Sequence, residues 1–76
     1  MKEQEIAEIL TNENPSFKQL REEHQELEKR LTDLESKPYL SAEDEIEIKA
    51  IKKQKLAKKD QMAAMIREYK KTAAVN

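Results

Sequence analysis

The sequence predicts an all-α fold: an antiparallel two-helix hairpin, coiled-coil-like, with a short N-terminal helix and a tendency to self-associate. Three observations carry this. Phe17, Leu20, His24, Leu27, Leu31 and Leu34 recur at 3-4-3-4-3 spacing, the stripe of a helix made to lie along another helix. The chain contains no glycine, so the φ > 0 turns, bulges and phosphate-cradling loops of small sheets and nucleotide sites are hard to build. Charged residues make up 41% of the 76, a composition suited to long solvated helices.

The elements follow in order. Ile6, Ile9 and Leu10 give residues 3–11 helical spacing, enough for an amphipathic helix too short to stand alone. Thr11-Asn12-Glu13-Asn14-Pro15 ends it, and there Asn14 suits an N-cap and Pro15 the first helical position of the next element. The first long helix is expected over 15–36, until Pro38 disfavours helix at Lys37. Ser41 then caps a second long helix whose first turn carries Glu43, Asp44 and Glu45, acids that match the positive helix end and need no ligand. This helix is expected to run over 41–71 and to fray from Thr72. So short a connection forces antiparallel packing within one domain spanning 1–76.

If residue i of the first long helix faces about 78 − i of the second, Leu31 meets Ile48, Leu27 meets Ile51 and Phe17 meets Met62. His24 then lies opposite Lys55, and Leu20 opposite Lys58 or Lys59, so a polar layer separates an apolar tip from an apolar far end. The second helix overshoots the first by roughly ten residues. That overshoot carries Met65, Ile66 and Tyr69, to be covered either by Ile6, Ile9 and Leu10 or by a second copy of the chain. Its apolar positions, Leu56 and Ala63 on one flank and Met65 on the other, span about 180°, against the roughly 100° stripe of an ordinary amphipathic helix. The excess points to a homo-oligomer.

These residues also carry a family resemblance. Asn12-Glu13-Asn14-Pro15 with Phe17, Leu20, His24 and Leu27, then Lys52-Lys53-Gln54-Lys55-Leu56, Lys59-Asp60 and Met62, resemble the YdcH-like family over residues 9–68. These are short bacterial proteins classed as a domain of unknown function. The resemblance implies an α-hairpin in a bacterial cytosol and brings no activity with it.

Chemistry is sparse. With no cysteine there is neither a disulfide framework nor a thiolate metal site. No apolar run approaches a membrane span of about 18 residues, and the acidic N-terminus does not resemble a signal peptide, so a soluble, cytoplasmic protein without membrane contact is expected. His24 is the sole histidine; with Glu28 one turn on it falls far short of a metal site and reads as a seam residue fixing register. Lys52, Lys55 and Lys59 fall near the apolar face of the second helix, where stems can pack while ammonium groups reach Glu23 or Glu28. His24, Lys55 and Lys59 form the expected polar layer. Asp60 is read as a salt-bridge partner of Lys18.

No enzyme, cofactor or metal is indicated. The expected role is a protein–protein interaction or structural module, with Leu56, Met62, Met65, Ile66 and Tyr69 as contact candidates. The alternative is a nucleic-acid-associated protein binding RNA or DNA through Lys49, Lys52, Lys53 and Lys58, drawn from residues 49–60, where six lysines stand against Asp60. Against that alternative, the segment lacks interleaved aromatics and arginine forks.

Overall fold

The computed structural model describes residues 2–75, with side chains described through residue 72. Helix α1 covers Glu3–Glu13, α2 covers Pro15–Glu35 and α3 covers Ala42–Val75. The fold is all-α, with no strand among the described residues. At about 1.5 Å per residue, the 34 residues of α3 make a rod of about 51 Å. They set the length of a molecule measuring 54 × 19 × 17 Å.

Local chemistry places the boundaries. The Asn14 side chain accepts hydrogen bonds from the N–H groups of Ser16 and Phe17, at 2.9 and 3.2 Å, satisfying two donors that the first turn of α2 leaves free. Pro15 has no N–H to satisfy. At the tip, the Asp44 N–H donates to Ser41 Oγ (3.0 Å) and the Ser41 N–H donates to Asp44 Oδ2 (3.1 Å), a reciprocal capping box. Lys37 Nζ lies 3.1 Å from Asp44 Oδ1, tying the turn to the first turn of α3. The Ser41 N–H and Lys37 ammonium hold the Asp44 carboxyl below its ordinary range. No described residue adopts positive φ, as a turn built without glycine requires.

Two helix ends differ from the sequence expectation by more than one residue. Helix α1 runs to Glu13 rather than residue 11, because Asn14 closes it, donating its N–H to Leu10 O at 2.8 Å. Helix α3 continues to Val75 instead of fraying at Thr72. Nothing there breaks it: Thr72 bonds back to Glu68 O at 3.0 Å, and alanines follow.

Two apolar clusters hold the helices together. Leu31, Leu34, Ile48 and Ile51 close the tip, with Leu27 packed against them. At the far end Ile6, Leu10 and Phe17 are buried against Met62, Met65, Ile66 and Tyr69. Leu27, Leu31, Ile48 and Ile51 share the tip cluster and Phe17 and Met62 the far one, a grouping that agrees with the 78 − i register. Helix α3 exceeds α2 by 13 residues, about 20 Å. The 11 residues of α1, about 16 Å, cover most of that excess. Polar contacts fasten α1 near both ends: Arg21 Nη1 donates to Thr11 Oγ1 at 2.9 Å, and Lys70 Nζ lies 3.6 Å from Glu3. The overshoot is thus covered within its own chain.

Candidate protein interaction surface

The five apolar contact candidates separate into two groups. Met62, Met65, Ile66 and Tyr69 are half-buried, packed against Ile6, Leu10 and Phe17. Leu56 stands free at 58% exposure. Its position explains the difference. Leu56 is one residue past Lys55, which borders the seam, and the further turn of about 100° carries it off the side that α1 and α2 cover. Ile46, 69% exposed nearer the tip, is a second uncovered apolar side chain that periodicity did not single out.

His24, Lys55 and Lys59 line one groove together with Glu28, Lys52 and Leu56. His24 is half-buried between the two apolar clusters. The Lys55 ammonium pairs with Glu28, and this hydrogen-bonded contact holds the Glu28 carboxyl below the usual carboxylate range. Among the described residues, two more bridges join α2 to α3: Lys58 Nζ is 3.2 Å from Glu23, and nearer the tip Arg30 Nε donates to Glu47 at 2.9 Å. Lys52 and Lys59 are exposed and make no ion pair among the described residues. Helix rotation accounts for this: three residues beyond Lys55, Lys58 crosses to the other edge of the seam, where Glu23 lies.

Asp60 makes no ion pair with Lys18 among the described residues. The axial register is sound, but Lys18 follows buried Phe17 by one residue and is turned about 100° away from the seam. Asp60 instead borders a groove with Arg21, Lys59 and Arg67. Of the lysines considered for nucleic acid, Lys49, Lys52 and Lys53 are exposed, while Lys58 is half-buried in its pair with Glu23.

On the opposite side of the α2–α3 seam runs a second groove, lined by Glu22, Glu23, Glu26, Leu27, Gln54 and Lys58 among others. The sequence carried a signal for it that the seam reading passed over: Glu22 and Glu26 are four residues apart, one turn, on the flank of α2 beside Leu27. The two grooves enclose similar volumes, about 530 Å³ on the acidic side and 470 Å³ on the lysine side.

Among the described residues, no three His, Cys, Asp or Glu side chains converge as a metal cluster, and no helix is long and apolar enough to cross a membrane. Comparison with curated proteins and with solved structures finds no significant match. The sequence model of one family matches residues 17–66, from buried Phe17 at the start of α2 to Ile66 beneath α1, and so takes in the whole paired part of the hairpin. The chain belongs to the family described as protein of unknown function (DUF465), which includes the YdcH-like proteins.

Proposed function

We propose that this chain is a non-enzymatic protein–protein interaction module of the cytoplasm, a rigid helical hairpin that presents the outward stripe of α3 to other helical surfaces, copies of itself included. The observation that carries the proposal is Leu56: a large aliphatic side chain, 58% exposed, central on that stripe, with Lys52 and Lys59 one turn away on either side. Exposed leucines are common singly. This one extends an apolar arc that the rest of the molecule buries under α1 and α2, and a cation on each side gives a partner both an anchor and a bearing.

Leu56→Glu tests it, since an exposed position can take the charge without disturbing either apolar cluster. The variant is expected to keep wild-type helicity while losing self-association in sedimentation and losing protein capture from nuclease-treated cytosol. Retention of every association the wild type forms refutes the proposal. A second reading, nucleic-acid binding, is favoured by the exposure of Lys49, Lys52 and Lys53 along one helix. It requires affinity for RNA or DNA that falls with salt at a log–log slope of about −3, one counterion per neutralised phosphate.

A further inference from the structure

We infer that copies of this chain join head to tail, the lysine-bearing groove of one copy docking on the acidic groove of the next. This rests on the reading that the outward stripe of α3 binds protein, and it specifies the partner surface.

The charges are segregated across the seam. The acidic groove holds Glu22, Glu23 and Glu26 against Lys58. The opposite groove holds Lys52, Lys55 and Lys59 against Glu28. Each has an excess of two charges, of opposite sign, with no lining residue in common. Internal pairing then removes Lys58 with Glu23 and Lys55 with Glu28. What remains is Glu22 and Glu26, both exposed, on one side and Lys52 and Lys59, both exposed, on the other.

The apolar groups follow the same division. Leu56 stands out between Lys52 and Lys59. Leu27, half-buried, lines the acidic groove. One side therefore offers an apolar knob between cations, and the other a half-buried leucine beside anions, in grooves of comparable size. Self-complementarity of this kind identifies a second copy of the chain as the occupant. A polyanion would match only one side and would be repelled by the other.

The geometry of assembly follows. The two surfaces lie on opposite sides of one molecule, so their contact is heterologous and propagates as an open chain or closes as a ring larger than a dimer.

The test uses the full chain in sedimentation velocity at ~0.02 M and ~0.5 M salt, a range over which the screening length falls severalfold. Wild type is expected to form species beyond the dimer at low salt and to dissociate at high salt. Glu22→Lys with Glu26→Lys, and separately Lys52→Glu with Lys59→Glu, are each expected to weaken association by about tenfold or more. An equimolar mixture of the two is expected to re-associate, because each now supplies the charge the other lacks. Circular dichroism confirms that the variants are helical. The milder pairs, Glu22→Gln with Glu26→Gln and Lys52→Gln with Lys59→Gln, serve if a reversal unfolds the chain, and are expected to weaken association without restoring it on mixing.

Oligomers that ignore both salt and charge reversal overturn the inference, as does a mixture that stays dissociated. A wild-type monomer at both salts overturns it too; if Leu56→Glu still abolishes capture of a cytosolic protein, the interaction-module reading survives alone. Capture that is lost on nuclease treatment and with Lys52→Glu and Lys59→Glu overturns both in favour of nucleic acid.

Discussion

Truncation of Phe17 separates the two halves of the molecule. Its ring is 1% exposed and joins all three helices, touching the cluster formed by Ile6 and Leu10 from α1 and by Met62, Met65, Ile66 and Tyr69 from α3. Phe17→Ala loses the transfer energy of the ring and leaves a cavity, together costing about 3–5 kcal/mol. A domain of 76 residues has a total stability of about 4–11 kcal/mol, so the loss is a large fraction of the whole. A melt followed by circular dichroism should shift down by more than about 10 °C, at roughly 4–8 °C per kcal/mol for a domain of this size. The effect should also be uneven. The tip cluster of Leu31, Leu34, Ile48 and Ile51 shares no residue with the far cluster, and the half-buried polar layer around His24 lies between them. Amide hydrogen exchange should show α1 and residues 60–72 losing protection while residues 27–35 and 44–55 keep most of theirs. Uniform loss of protection along the chain would refute the idea of two separable clusters. A shift of only a degree or two would refute the assignment of Phe17 as the keystone of the far end.

Two further outcomes follow from local chemistry. Asn14→Ala removes the acceptor for two first-turn N–H groups of α2 and should cost about 1 kcal/mol in urea unfolding, with Asn14→Asp retaining most of it; equal losses in both would show that the cap contributes little. The Asp44 carboxylate, held below its ordinary range by the Ser41 N–H and then by Lys37, contributes stability that is fully present above the unfolded aspartate pKa and is lost as pH falls through the depressed folded value. Asp44→Asn should therefore flatten the acid limb of the stability–pH curve relative to wild type, and parallel acid limbs would count against the capping box as a charged contact.

The local features were legible in the sequence because their causes are local. Asn14-Pro15 and Ser41 with Asp44 act through neighbours two or three residues away, so the starts of α2 and α3 could be placed from chemistry alone. The 3-4 spacing fixed which side of α2 faces α3, and the short turn fixed the antiparallel register that gathers Leu31 and Ile48 into one cluster and Phe17 and Met62 into the other. The end of α3 lies beyond the expected residue 71 because no residue that follows interrupts a helix already anchored by Met65, Ile66 and Tyr69.

The tertiary structure decided what depends on the rotation of one helix against another. The sequence presented Met65, Ile66 and Tyr69 as a patch with two possible covers; three-dimensional packing seats α1 on it, because α1 nearly equals the overhang in length and is joined to α2 through Asn14. It also chose Lys58 over Lys52 and Lys59 as the partner of Glu23 across the seam, and sorted Glu22 and Glu26 to one side and Lys52 and Lys59 to the other. Periodicity gives the angle of each side chain about its own axis. Which charges share a groove depends on the angles of two helices taken together.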